Sequence, residues 1–123
     1  MKPHSIKWIM IAGPYSSGGA KKAQRQKNLE ALNKAALAVF EMGLTPVVGV
    51  HCALPLIQND SRADAFERIM MPLSLAMSER CDACLRIKGP SQGADQEVEH
   101  FHKNKKPVFF SLEEIKEFQN RKN

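Results

Sequence analysis

The sequence predicts an α/β fold in three layers, built on a parallel sheet of about four strands in the order 2-1-3-4. Two observations carry that expectation. Short apolar runs alternate with longer segments of helical period, the alternation of a parallel sheet flanked by helices. The stretch from Arg86 to Phe110, RIKGPSQGADQEVEHFHKNKKPVFF, compresses the repeating unit into one segment: an apolar run, a Gly/Pro/Ser loop, a helix and a second apolar run.

The elements follow in order. Ile6 to Ala12, IKWIMIA, is mostly apolar, as a strand covered on both faces must be. It ends in the loop GPYSSGG, Gly13 to Gly19. From about Ala20 the pattern turns helical, with Leu29, Leu32, Ala36, Val39 and Phe40 recurring at threes and fours as the core face. Gly43 stops that helix as a C′ residue. Thr45 to Val50, TPVVGV, is the second strand, and Pro46 fits only near its beginning. His51 to Ser61 contains Pro55 and Asn59-Asp60 and reads as a loop. Asp60 or Ser61 caps a helix over Arg62–Met71. Pro72 opens a new helical segment, Pro72–Glu79, with Leu73, Ala76 and Met77 facing the core. Cys81 to Ile87 is the third strand, Ala94 to Lys103 the next helix, and Pro107 to Phe110 the fourth strand. Ser111 and Glu114 form a capping box for a last helix, Leu112 to Asn120. No repeat, linker or low-complexity segment divides the chain, so residues 1–123 read as one domain.

Composition narrows the function classes. Hydrophobic content is 43% and charged content 25%, ordinary for a globular protein with a core. No apolar run reaches the roughly 18–20 residues of a membrane span. The opening MKPHSIKWIMIAG runs straight into a strand pattern and lacks the apolar region and cleavage site of a signal peptide. Three cysteines, Cys52, Cys81 and Cys84, build no complete disulfide framework, which points to a reducing cytoplasm. The net charge of +5 would help attract anionic ligands. The basic residues gather at Lys21-Lys22-Arg25-Lys27, at Lys103-Lys105-Lys106 and at Arg121-Lys122. Without a zinc-finger pattern, a longer basic block or interleaved aromatics, these read as solvated surface or as attraction for a small anion before a polynucleotide.

Right-handed crossovers would set a topological switch between strands 1 and 3. The loops Gly13–Gly19 and Lys88–Gly93 then face each other, and a ligand between them lies against two helix N-termini, those following strands 1 and 3. In the first loop, Gly13 and Gly19 permit close backbone approach, while Ser16 and Ser17 offer hydroxyls to a phosphate or sugar or to the turn itself. Tyr15 is placed to stack on a base, to orient a carboxylate or to cover the sheet edge. In the second loop, Ser91 and Gly93 precede Glu97, which lies within the first turns of the helix. The helix dipole tends to keep such a carboxylate ionised. An ionised glutamate can attack the anomeric carbon of a sugar, or it can serve only the helix. His51, after strand 2, stands at the same ligand-bearing edge. Cys81 and Cys84 on a strand face opposite ways, and His100 and His102 on a helix share no face, so no metal site is expected. Asp82, near the start of a central strand, needs a partner such as a helix end or backbone amides.

These residues resemble a known family. IMIAGPYSSGG is similar to the first strand and sugar-binding loop of the nucleoside 2-deoxyribosyltransferases and of the related deoxynucleoside 5′-monophosphate N-glycosidases. GLTPVV resembles their second strand, and ERCDACLRIKGPSQGADQE with NKKPVFF resembles their strand–loop–Glu–helix core and the strand after it. The resemblance spans almost the whole chain. It implies a Rossmann-like, flavodoxin-like fold and a nucleoside or nucleoside monophosphate as substrate, with no cofactor. It implies that Glu97 is the nucleophile, that Ser91 corresponds to a phosphate-binding serine, and that Tyr15 lies in the first substrate loop. It also implies a homo-oligomer, most simply a dimer. The chain departs from the pattern at one position. The aspartate that assists the leaving base in that family falls at Ser74 here, with Asp60 and Asp64 as the nearby acids. A nucleotide-binding domain that does not cleave is the alternative this departure leaves open.

Overall fold

The centre of the sheet is the strand Trp8–Ala12 (β1), which pairs in parallel on both edges. In the computed structural model, which describes residues 5–121, β1 is flanked by Thr45–Val47 (β2) and Ala83–Arg86 (β3). Val108–Phe109 (β4) pairs with β3, giving the order β2-β1-β3-β4 that the sequence predicts. Residues 1–4, and Lys122 of the C-terminal basic pair, lie outside the described residues. No helix among the described residues is long and apolar enough to cross a membrane.

Alternation along the strands divides the core into two layers. Ile9, Ile11, Ala83, Leu85 and Phe109 pack with Leu32, Ala36 and Val39 of the helix Lys22–Glu41 (α1) and with Ile115 of the C-terminal helix Leu112–Arg121. Met10, Ala12 and Cys84 pack with Ala94 and Phe101 of the helix Gln92–Lys103. Asp82 ties the amino ends of the central strands together. Its Oδ2 accepts the backbone N–H of Lys7 at 2.8 Å and of Trp8 at 2.9 Å, so backbone amides are the partner this acid needs.

Several expectations are corrected. The segment read as a loop from His51 is helical, Gly49–Asn59 (α2), with Pro55 inside it. Strand 2 accordingly ends at Val47, and Val48 is the N-cap of α2. Val50 and Ala53 are buried in the core, and that burial outweighs the one hydrogen bond that proline removes. The next helix is continuous over Ala65–Glu79 (α3), running through Pro72 instead of restarting there. Met70, Ser74 and Ser78 are buried on it, one turn apart, so a single packed stripe spans the proline. Asp60 does not open α3. It stands at the C-cap of α2, accepts the backbone N–H of Arg62 and pairs with the guanidinium groups of Arg62 and Arg68. Phe40, too, is exposed, not core, because Val39 takes the inward position at the end of α1.

The remaining helices follow their sequence signals closely. A 3₁₀ turn at Ser17–Gly19 precedes α1. Gly43, at φ 86°, adopts the left-handed conformation that closes α1. Gln92–Lys103 becomes α4 and Leu112–Arg121 α5. Ser111 Oγ accepts the Glu114 N–H at 3.2 Å, and Glu114 returns a bond to the N–H of Phe110 at 3.0 Å.

Candidate functional site

Beyond the carboxyl ends of β1, β2 and β3 the chain leaves a cleft of about 670 Å³. Its floor is Ile11 and Leu32. One side is the loop after β1, with Gly13, Tyr15, Ser16, Ser17 and Gly18. The other is the loop after β3 and the first turns of α4, with Ser91, Gly93, Gln96 and Glu97. A third wall comes from α2 and α3: Val48, Gly49, Val50, Phe66, Met70, Met71 and Ser74.

The two loops are braced against each other. A Cβ on Gly89, at φ 116°, would stand 2.7 Å from Pro14 Cγ. A Cβ on Gly13 would stand 2.3 Å from Ile87 Cγ1, so neither position admits a side chain without movement. Asn28 of α1 donates to the carbonyl of Tyr15 at 2.7 Å and fixes the first loop from behind. Arg86 does the same for the second. It donates to the carbonyls of Ile87 and Gly89 and pairs with Asp95 at 3.1 Å. Ser91 is the N-cap of α4, its Oγ accepting the Ala94 N–H at 3.0 Å, which leaves the hydroxyl proton free to donate.

Among the described residues Glu97 is the only carboxylate lining the cleft, and it is only 8% exposed. No hydrogen bond or ion pair to its side chain occurs among the described residues, nor is any buried side-chain oxygen left unpartnered there, so the carboxylate meets the open space of the cleft. Burial raises its pKa from the ordinary 4.5 to about 7, against the opposing charge of Arg86. The sequence suggests that the helix dipole keeps this group ionised. Desolvation reverses that, since Glu97 sits in the second turn of α4, where the dipole has faded.

Of the sequence candidates, the cleft brings together Gly13, Tyr15, Ser16, Ser17, Ser91, Gly93 and Glu97. Gly19 and His51 do not line it. Because β2 is short, His51 lies within α2, exposed, with its Nε2 against Asn33 Oδ1 of α1. Asp60 and Asp64 also lie away, engaged with Arg62 and Arg68. The paired helix N-termini are those of α2 and α4, not α1 and α4, because α1 begins only at Lys22, beyond the 3₁₀ turn. Sequence reasoning misses the wall of Phe66, Met70 and Met71. The apolar period of α3 shows those residues as core-facing, and only the docking of α2 turns part of that face toward the cleft. Ser74, by contrast, stands in the cleft wall where the resemblance expects an acid, and a Cβ on Gly49 would fall 2.2 Å from its Oγ.

The cysteines need a correction of geometry. Cys81 precedes β3, so Cys81 and Cys84 pack in the same core layer instead of facing opposite ways. Burial pushes the Cys81 thiol up to about 11 and Cys84 higher still, which makes both poor nucleophiles. Among the described residues no three His, Cys, Asp or Glu side chains are grouped to hold a metal ion. Compared with known proteins, the chain matches no family model, and no curated protein matches it.

Proposed function

We propose that the protein cleaves, or transfers through, the N-glycosidic bond of a nucleoside or nucleoside 5′-monophosphate, with Glu97 as nucleophile. One observation carries the reading: a lone, buried carboxylate opens into a cleft at the switch point of the sheet, opposite a tyrosine- and serine-bearing loop. The resemblance to the deoxyribosyltransferase family rests on the same residues.

In the proposed reaction the sugar lies between the two loops. Ser16, Ser17 and Ser91 and the free amides of the α2 and α4 N-termini hold its hydroxyls or phosphate. The base lies against Phe66, Met70 and Met71, and Tyr15 closes the site from the first loop. Ionised Glu97 attacks the anomeric carbon, the C–N bond breaks, and a glycosyl ester forms. Water, or a second base, then attacks the same carbon and returns Glu97 to its carboxylate. Among the described residues one carboxylate lines the cleft, whereas retaining glycosidases pair two carboxyl groups about 5 Å apart.

The serine at position 74 favours a second reading, in which the cleft holds a nucleotide without cleaving it. The two separate in one experiment. The protein is incubated with a panel of nucleosides and 5′-monophosphates, and free base is read by chromatography with Glu97→Ala as control. Base release that disappears in the variant supports the nucleophile. Release that persists refutes it, and saturable binding with no release favours the second reading.

A further inference from the structure

The charged side chain of the cleft is opposite in sign to the protein around it. The chain carries 18 Lys and Arg against 13 Asp and Glu, yet among the described residues no Lys, Arg or His lines the cleft. Arg86, whose charge acts on Glu97, is engaged with the carbonyls of Ile87 and Gly89 and with Asp95. Facing the open space are one carboxylate, two aromatic rings (Tyr15 and Phe66) and two thioethers (Met70 and Met71). Ring faces and polarisable sulfur are the neutral groups that best receive a delocalised cation. A neutral nucleobase stacks on the same groups, and a cationic one gains the attraction of the ring faces and of the Glu97 carboxylate in addition.

A second observation points the same way. Expelling a neutral base requires a proton donor at the departing nitrogen, and such donors contribute about 10²–10⁴-fold to rate. Glu97 is committed to the sugar, and no second acidic side chain lines the cleft among the described residues apart from the phenol of Tyr15. Ser74 occupies the apolar wall with a hydroxyl that does not ionise. A base with a fixed positive charge needs no such donor.

We propose that the preferred substrates are N-glycosides whose base is cationic, N-alkylpurinium or pyridinium nucleosides, and that they are cleaved without general-acid assistance. This rests on Glu97 being the nucleophile. Its carboxylate oxygen bonds to the anomeric carbon while the C–N bond breaks. The bonding pair passes to the ring nitrogen, so the cationic base departs neutral. Water then adds at the anomeric carbon, the ester bond breaks back to the carboxylate, and one proton is released to solvent.

The test compares matched pairs: 7-methylguanosine with guanosine, and 7-methyl-2′-deoxyguanosine with 2′-deoxyguanosine, each corrected for spontaneous hydrolysis. Nicotinamide riboside serves as the pyridinium probe. The methylated member of at least one pair is expected to show kcat/KM about 100-fold or more above its partner, the factor a missing acid forfeits. With nicotinamide riboside, whose pyridinium charge does not titrate, kcat/KM rises with pH and then stays level, with no falling limb below about pH 9. Neutral and methylated members cleaved within about tenfold of each other, or a bell-shaped profile for nicotinamide riboside, would overturn the proposal and leave the nucleophile assignment standing. Cleavage that survives Glu97→Ala, or no cleavage of any probe, overturns both.

Discussion

Replacing Glu97 with glutamine keeps the shape of the side chain and removes its charge, so the variant should be more stable than the parent above neutral pH. The magnitude follows from the titration of this one group. Its pKa is 4.5 when solvated and about 7 when buried in the cleft wall. The folded state therefore holds a proton that the unfolded state has released, throughout the interval between those values. Where the native state binds more protons, stability falls as pH rises. The contribution is complete below the unfolded pKa, declines through the interval, and is lost above the folded pKa. A shift of that size corresponds to about 3 kcal/mol. Glutamine does not titrate, so the stability difference between variant and parent should grow by about 3 kcal/mol from acid to mildly alkaline pH, roughly 10 °C in melting temperature for a chain of this length. Thermal and urea denaturation of both proteins across that range measures it, and groups common to both cancel in the difference. A difference that does not change with pH, or one that turns against the glutamine variant at alkaline pH, would show that burial does not govern this carboxylate. The same variant should lose base release, which sets the most stabilising substitution at the most damaging place for activity.

Other expectations test the surroundings. Asp82→Ala removes the acceptor of two backbone N–H groups at the amino ends of the sheet, and denaturation should show a loss of about 2 kcal/mol with the cleft chemistry unchanged. Gly49→Ala forces a methyl group to 2.2 Å from Ser74 Oγ. It should cost about 1–3 kcal/mol in urea titration, and adding Ser74→Ala should recover part of that loss. Ser74→Asp places a carboxyl group in the cleft wall. Once circular dichroism shows that it folds, it should raise release of neutral bases by about 100-fold without matching gain on cationic ones, measured by chromatography.

Much of this fold is legible because its signals are local. The apolar run ending at Ala12, the left-handed Gly43, the Ser91 cap and the Ser111–Glu114 pair each carry their instruction within a few residues. The same holds for half of the cleft, since the loops after β1 and β3 announce themselves by composition. The errors gather at two prolines. Pro55 and Pro72 are local vetoes on helix, and only contacts distant in sequence override them: Ala53 against the sheet in one case, the Met70–Ser74–Ser78 stripe in the other. A loop over His51–Ser61 places His51 at the ligand edge and leaves the α2–α3 wall out of view. The raised pKa of Glu97 was illegible for a related reason. A dipole is visible from a residue's position along its own helix, whereas desolvation depends on what other elements bring around it.

The Asp82 tether has a consequence for how the molecule comes together. It joins residues 75 positions apart, and the neighbouring strand pairing has a similar span. Closing a loop that long carries an entropy cost of about 4 kcal/mol before any contact compensates it. The β1–α1–β2 unit spans far less chain and can assemble first. The wall bearing Glu97 comes only with β3 and α4, so a nascent chain halted before Cys81 holds the tyrosine loop and the α2–α3 segment of the cleft without the carboxylate.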